Sequence, residues 1–339
     1  MKVTTFGLDL AKRVFQLHWV DMETGEICRR QLKRDEVAQF FAQRAPAVVA
    51  MEACGSAHYW GRKLEGYGHE VRLIAAQFVR PFVKSNKTDA ADAQAIWEAA
   101  QRPGMKFVGL KSEAQQSVLM LHRMRQQLVK MRTMQVNELR GLLYELGAEL
   151  PRGRQRGIER MGGELERLES VLPMVVMESL REQTKRIETF DEDIGEIEKK
   201  LALWKKEDEA VRRLLAIPGV GLLSATAALA TMGEAKAFRS GREFAAFLGL
   251  VPRQSGTGGR VKLLGISKRG DVYLRTLLIH GARSVITRAK QREAWLEKLL
   301  ARRPLNVAVV ALANKIARTI WALLAHERTY EHGYVARAA

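Results

Sequence analysis

Val3-Thr4-Thr5-Phe6-Gly7-Leu8-Asp9 is a short apolar run that ends on a carboxylate, and Ala47-Val48-Val49-Ala50-Met51-Glu52 is a second run built the same way. Runs of this length, rich in β-branched residues, read as strands, so each places an acid at a strand end. Residues 14–20 and 27–32 read as two further strands, joined by the turn Asp21-Met22-Glu23-Thr24-Gly25-Glu26. A helix is expected over 34–44, another over 56–65, and a short strand over 70–74. The next helix opens in Asn86-Lys87-Thr88-Asp89-Ala90-Ala91-Asp92-Ala93, where Thr88 is a natural N-cap.

The resulting order, β-β-β-α-β-α-β-α over residues 1 to about 100, is that of an RNase H-like layered α/β domain. Its chemistry lies in four acids. Asp9 and Glu52 close two strands, and Asp89 and Asp92, spaced i,i+3, share one face of a helix start. An isolated Asp after a strand is usually a turn or helix cap; four acids that the fold can bring to one point are a different matter. Such a set suits a hard divalent cation, Mg²⁺ with Mn²⁺ as its substitute, because oxygen donors bind it while waters remain for a substrate to replace. Two such ions support phosphoryl transfer.

From residue 112 to 146 the spacing turns helical, with Leu121, Met124, Leu128 and Met131, then Leu139, Leu142 and Leu146. Residues 151–163, Pro-Arg-Gly-Arg-Gln-Arg-Gly followed by Met-Gly-Gly, read as a break. Ile187, Phe190, Ile194, Ile197, Leu201 and Trp204 then keep a strict three-four alternation. That seam fits a coiled coil, within or between chains, and equally a helical hairpin packed inside one chain. The expected organisation is a catalytic domain over 1–105, a helical linker over 106–210, a mainly α domain over 211–330 and a loose tail over 331–339.

Two constellations mark the last third. Ile217-Pro218-Gly219-Val220-Gly221 has the form of a helix-hairpin-helix turn, in which Gly219 and Gly221 would offer backbone N–H groups to phosphates. Arg253-Gln254-Ser255-Gly256-Thr257-Gly258-Gly259-Arg260 is a Gly-rich basic loop, followed by Lys262, Lys268 and Arg269. It can cradle phosphates passively or set a hydroxyl against one; no base lies beside it in sequence. His122, His280 and His326 have no metal-type spacing and read as packed or surface residues. The aromatics are too dispersed to suggest a base-stacking platform.

Fifty-six Lys and Arg against thirty-eight Asp and Glu give a formal charge of +18, which draws the chain to polyanions such as nucleic acid. Cys28 and Cys54 are too few for a disulfide framework and read as buried free thiols of a reducing compartment. No leader is expected, and no stretch reads as an apolar membrane span.

Gly7-Leu8-Asp9-Leu10-Ala11-Lys12, Met51-Glu52-Ala53-Cys54-Gly55 and Lys87-Thr88-Asp89-Ala90-Ala91-Asp92-Ala93 resemble the N-terminal half of the DEDD-type insertion-sequence transposases, relatives of the Piv DNA invertase. Ile217–Gly221, Leu248-Gly249-Leu250-Val251-Pro252 and Gly265-Ile266-Ser267-Lys268-Arg269-Gly270-Asp271 resemble their C-terminal domain, and the likeness runs from about residue 3 to 325. The resemblance implies a RuvC-like domain, a coiled-coil linker that mediates assembly and a C-terminal transposase domain. It implies metal-dependent recombination of double-stranded DNA by Asp9, Glu52, Asp89 and Asp92, without a free-ended intermediate. A serine nucleophile is part of it, and Ser255 is the one serine in the loop, with Thr257 as the alternative hydroxyl. It further implies a structured noncoding guide RNA, dimers that assemble into a tetramer, and a cytoplasmic, nucleoid-associated bacterial protein. Lys12, Lys87, Arg253, Thr257, Arg260, Lys262, Lys268 and Arg269 would contact nucleic acid, with Gly219 and Gly221. The rival readings are a RuvC-like, structure-selective junction nuclease using metal-activated water, and a non-catalytic nucleic-acid-binding protein.

Overall fold

Phe6 and Leu8 point to one side of their strand and Gly7 and Asp9 to the other, and this alternation organises the first part of the chain. The protein is described by a computed structural model over residues 3–83, 88–289 and 291–332, the side chains of 154, 205 and 207 excepted. Its contacts divide it into two compact units, 1–113 and 114–339.

In the first unit β1 (Thr5–Asp9), β2 (Val14–Val20), β3 (Ile27–Lys33), β4 (Val48–Glu52), β5 (Glu70–Ile74) and β6 (Phe107–Val108) form one sheet in the order β3-β2-β1-β4-β5-β6. β1, β4 and β5 run parallel, while β2, β3 and β6 are antiparallel to their neighbours. One face carries Phe6, Leu8, Phe15, Leu17, Met51 and Leu73 onto α1 (Glu36–Ala42) and α2 (Ala57–Glu65). The other face receives α3 (Ala76–Val79) and α4 (Asp89–Ala100), whose Ala95, Ile96 and Ala99 pack with Ala50 and Ile74. Trp97 on α4 donates its indole N–H to the Thr5 carbonyl at 3.0 Å. The expected order of elements stands; β6 and α3, two and four residues long, are too short to leave a periodic signal.

The second unit opens with α5 (Glu113–Glu145), α6 (Arg154–Leu168) and α7 (Met174–Glu207). Arg125 bonds Glu198 at 2.7 Å and Arg132 pairs with Asp191, so seven residues forward on α5 match seven back on α7. The two helices are therefore antiparallel partners inside one chain, and Ile187, Ile194, Ile197 and Leu201 are buried along α7. The α5 seam differs from expectation. Met124 and Met131 are 50% and 42% exposed, while Val118, Val136, Leu139 and Leu143 are buried. The break expected over 151–163 ends early, because Gly153 starts α6 and Met161, Leu165 and Leu168 pack it against α5 and α7.

α8 (Glu209–Leu215), α9 (Leu222–Met232), α10 (Gly241–Phe247), α11 (Val272–Arg288), α12 (Ala294–Leu300) and α13 (Leu305–Ala325) build a second core. Its centre is α13, whose Ala308, Val309, Ala313, Ile316, Ala317 and Ile320 are buried. With 21 residues and a mean hydropathy of 1.6, α13 is long and apolar enough to cross a membrane, contrary to the sequence expectation. Its buried face is that of a core helix. A second correction concerns the thiols: Cys54 is exposed and Cys28 half-buried. The Gly-rich stretch, expected as a loop, is a ribbon of β7 (Pro252–Thr257) and β8 (Arg260–Ile266).

Candidate active site

Asp9 and Glu52 end neighbouring parallel strands whose register pairs Leu8 with Met51. Because side chains alternate, Asp9 shares the face of Gly7, and Glu52 that of Ala50, and both face the α4 side of the sheet. The helix approaches closely at Gly7. A Cβ there would lie 2.7 Å from Trp97 Cβ and 2.8 Å from Trp97 N, and closer still to the Ala93 carbonyl oxygen. Thr5 meets Trp97 and Gly7 meets Ala93, so moving along β1 towards Asp9 means moving along α4 towards its first turn. That turn carries Asp89 and Asp92, and the Thr88 hydroxyl caps it by accepting from Ala91 N at 3.2 Å.

All four carboxylates thus belong to one end of one face. Asp9, Glu52 and Asp92 are half-buried and Asp89 is exposed. The Cys54 thiol is pushed up, first by lost hydration and then by the negative charges of Glu52 and Asp9, which places both acids within electrostatic reach of one sulfur. Among the described residues no three acidic, His or Cys side chains close on a common point. The donor set fits a hard divalent ion in chemistry and in face. An ion of that kind keeps several waters and needs only one or two protein carboxylates at a time. Lys12 is exposed in the turn after Asp9, and Lys87 lies outside the described residues.

The ribbon presents the second group. The turn Gly258-Gly259, with φ of 56° and 78°, has the two left-handed residues of a tight hairpin. Ser255 pairs with Lys262 and Thr257 with Arg260, so both hydroxyls share one face with two cations. Gln254, Gly256, Val261 and Leu263 lie on the opposite face. Arg253, Ser255, Thr257, Arg260 and Lys262 are all exposed, as are Lys268 and Arg269 at the ribbon's base.

That base is rigid for reasons the sequence did not announce. Gly249 and Gly270 both have φ near +70°, at 70° and 72°. A Cβ on Gly249 would lie 2.8 Å from the Lys268 carbonyl carbon, and one on Gly270 would be 3.0 Å from that of Phe247. Arg275, buried in α11, donates one guanidinium nitrogen to the carbonyls of Leu248 and Arg269, each at 2.8 Å, and so ties the two ends of the ribbon together. Asp271 caps the same helix, accepting from Leu274 N at 2.9 Å. The one signal available for Arg275 was its helical spacing with the apolar Leu278, Ala282 and Ile286, which puts it on the buried face of α11.

Between α8 and α9, Gly219 takes φ of 85° and is half-buried. Its Cβ would stand 2.9 Å from the Gly281 carbonyl oxygen, so this glycine serves a backbone-to-backbone contact with α11. Gly221 stays exposed at the start of α9. His122, which sequence reading set aside, is buried with Nδ1 2.9 Å from Tyr273 Oη and Nε2 3.0 Å from Thr226 Oγ1. The Thr226 hydroxyl donates to the Leu222 carbonyl at 2.8 Å, so it accepts from Nε2–H and leaves Nδ1 to accept from Tyr273. Burial, helped by the Arg125 charge, lowers the His122 pKa to about 4, consistent with that neutral tautomer. His280 and His326 are exposed.

Strand-end acids on one face of an RNase H-like sheet, in a strongly basic chain, are the layout of a nucleic-acid-processing enzyme. Residues 6–147 match the transposase family of DEDD type associated with IS110, and residues 211–296 match the family described as Transposase IS116/IS110/IS902. A probable family 20 transposase of Pseudomonas aeruginosa is 51% identical over 98% of this chain and all of its own length. The transposase for insertion sequence element IS1111A of Coxiella burnetii is 43% identical over 98% of this chain and 92% of its own. That for IS1328 of Yersinia enterocolitica is 41% identical over 94% and 96%. The chain belongs to the IS110/IS116 family of insertion-sequence transposases. It is an enzyme that acts on DNA by phosphoryl transfer, with a domain of the kind that uses a divalent metal.

Proposed function

We propose that the chain is an RNA-guided, Mg²⁺-dependent recombinase that moves its insertion sequence with Ser255 as nucleophile. The observation that carries the reading is the convergence of Asp9, Glu52 and the first turn of α4 on one end of one sheet face. Asp9, Glu52, Asp89 and Asp92 would hold Mg²⁺, which when bound neutralises charge on a scissile phosphate. The Ser255 Oγ attacks phosphorus and a deoxyribose oxygen leaves with a proton. The strand then rides as a phosphoserine ester until another strand's hydroxyl displaces the serine. One phosphoester forms for each one broken, so no external energy source is needed. Arg260 and Lys262, on the face of Ser255, offset the developing negative charge. Arg253, Lys268 and Arg269 hold flanking phosphates, with Lys12, Lys87 and the N–H groups at Gly221.

The carboxylate face and the ribbon act on the same phosphate when copies assemble on DNA, as dimers that join into a tetramer. The functional division is a RuvC-like domain over 1–105, a helical assembly segment over 106–210 that includes the antiparallel α5–α7 pair, and a transposase domain over 211–330. Sequence choice is delegated to a noncoding guide RNA through base pairing. The site of action is the bacterial nucleoid in the cytoplasm.

The test is to incubate the full chain with element-end DNA, the element's flanking RNA and Mg²⁺, and to map protein–DNA adducts by mass spectrometry. An adduct on Ser255 that disappears in Ser255→Ala supports the reading. Cleavage that persists in Ser255→Ala without any adduct would show a nuclease using water, and an adduct on Thr257 would move the nucleophile.

A further inference from the structure

At the carboxylates' end of the sheet, but on the face that carries α2, the fold assembles a stacking platform that the sequence did not suggest. At the end of the sheet where β1 stops and β2 begins, an open groove of about 630 Å³ is lined by Lys12, Arg13, Lys33, Arg34 and Lys63, with Asp35 as its one acid. No ion pair engages any of these five cations among the described residues, so the groove carries uncompensated positive charge. The Arg34 guanidinium carbon lies over two rings, 5.6 Å from the Phe15 ring centroid and 5.4 Å from that of Trp60. A stacked guanidinium keeps its N–H edge available to a phosphate. Tyr59 and Trp60, on α2, complete the lining. The Tyr59 ring stands edge-on to Trp60 at 5.5 Å and 83° and is 48% exposed, so one of its faces is open to solvent.

Cations along a groove with one open aromatic face are what a single strand requires. Phosphates track the charge and an unpaired base lies on the ring, whereas in a duplex the bases are already stacked on each other. The groove occupies the same end of the sheet as Asp9 but the opposite face, and Lys12 and Arg13, which follow Asp9 in the turn between β1 and β2, lead from one to the other. We propose that it holds an unpaired stretch of the DNA substrate that leads round the β1–β2 turn to the cutting site, its phosphates on Lys12, Arg13, Lys33 and Lys63 and one base stacked on Tyr59. The inference rests on reading the carboxylates as the cutting site only for which strand lies there; the groove's affinity is independent of cleavage.

The experiment uses the full chain in EDTA, where cutting is silent, and fluorescein-labelled oligo(dT), oligo(rU) and a mixed-sequence duplex in anisotropy titrations. Tyr59→Ala should weaken oligo(dT) by about five- to a hundredfold, Tyr59→Phe should restore it, and duplex affinity should stay within about twofold. Lys63→Ala should weaken oligo(dT) binding and flatten its salt dependence by about 0.7, the change in slope expected when one phosphate is no longer neutralised. Loss of oligo(dT) and duplex binding together in a Tyr59→Ala protein with an unchanged circular-dichroism spectrum would show that the ring does not select single strands and would overturn the proposal; should Tyr59→Ala fail to fold, Lys63→Ala carries the test, and an unchanged oligo(dT) affinity and salt slope there overturns it. An unchanged oligo(dT) affinity in Tyr59→Ala overturns it too, as does an effect confined to oligo(rU), which would make the occupant RNA. Asp9→Asn should keep wild-type oligo(dT) binding. A chain that binds oligo(dT) through Tyr59 yet cuts normally as Asp9→Asn would sink the carboxylate reading and leave the groove standing.

Discussion

Gly7→Ala tests whether the approach of α4 to β1 sets the catalytic geometry. The new methyl would lie 2.7 Å from Trp97 Cβ and 2.8 Å from Trp97 N. Carbon atoms in contact settle at about 3.5–4.0 Å, so helix and strand must separate by about 1 Å. The atoms in the way are backbone and a Cβ, with no rotamer to move aside, and overpacking of this kind costs about 1–3 kcal/mol. The functional loss should exceed the stability loss in kind. Asp89 and Asp92 ride on α4, whereas Asp9 and Glu52 ride on the sheet. A misplacement of about 1 Å between catalytic groups can cost about a hundredfold in rate. The assay pairs Mg²⁺-dependent cleavage of element-end DNA with anisotropy on the same DNA and a circular-dichroism melt. The expected outcome is a folded protein with a lowered melting temperature, near-normal DNA affinity and cleavage down about a hundredfold. A folded Gly7→Ala protein that cuts at the wild-type rate would refute the argument that this contact positions the acids.

Other outcomes follow from the same geometry. His122 has a folded pKa of about 4, below the ordinary value of 6.5, so its contribution to stability is present above pH 6.5 and lost as pH falls towards 4. Between pH 7 and pH 5 the loss works out at about 2 kcal/mol. Hydrogen exchange of the α9 and α11 amides should show it in the wild type and not in His122→Gln; equal pH slopes would overturn the assignment. Gly270→Ala combines a left-handed φ, about 1–2 kcal/mol, with overlap on Phe247, about 1–3 kcal/mol, whereas Gly258→Ala meets open space and should cost only the first. Urea unfolding that ranks the two variants equally would contradict the packing at the ribbon's base. Removal of divalent metal by EDTA should abolish cleavage while leaving DNA binding within about twofold, read by gel and by anisotropy.

The layered domain was legible because its strands are short apolar runs with one acid at the end, and because burial on both faces leaves no polar interruption in 47–52. The start of α4 was legible from its cap, with the Thr88 hydroxyl satisfying Ala91 N. The ribbon was not. All residues of β7 are exposed and β8 is nearly so, and a strand with two wet faces carries no hydrophobic period to read. The α5 seam failed for the opposite reason. Apolar residues occupy both its buried line, from Val118 to Leu143, and an exposed line with Met120, Met124, Met131 and Met134, so periodicity alone could not choose. The acids were found as candidates from spacing, but their common face depends on strand register and on Gly7, which only packing reveals. Tyr59 was passed over because its cationic neighbours come from three separate stretches, Lys12–Arg13, Lys33–Arg34 and Lys63.

Ser255 sits on a ribbon with little packing of its own above a tightly packed base, and under the proposed chemistry that contrast would bear on how the serine is positioned. A two-stranded ribbon in water is marginally stable by itself. This one leaves Val261 and Leu263 66% and 62% exposed on the face opposite Ser255. Its interior therefore supplies little of its order. What fixes it is the clamp below, where Gly249 and Gly270 bring backbones into contact and Arg275 holds the Leu248 and Arg269 carbonyls. A guanidinium buried against carbonyls is costly to desolvate and is justified by geometry, since a single nitrogen bonded to both carbonyls fixes the distance between the two strand roots. The clamp sets the root of the strand that carries Ser255, while the exposed ribbon above it has little packing of its own. Were Ser255 the nucleophile and its phosphate met only after assembly, as proposed above, it would need that division between a fixed root and a compliant tip.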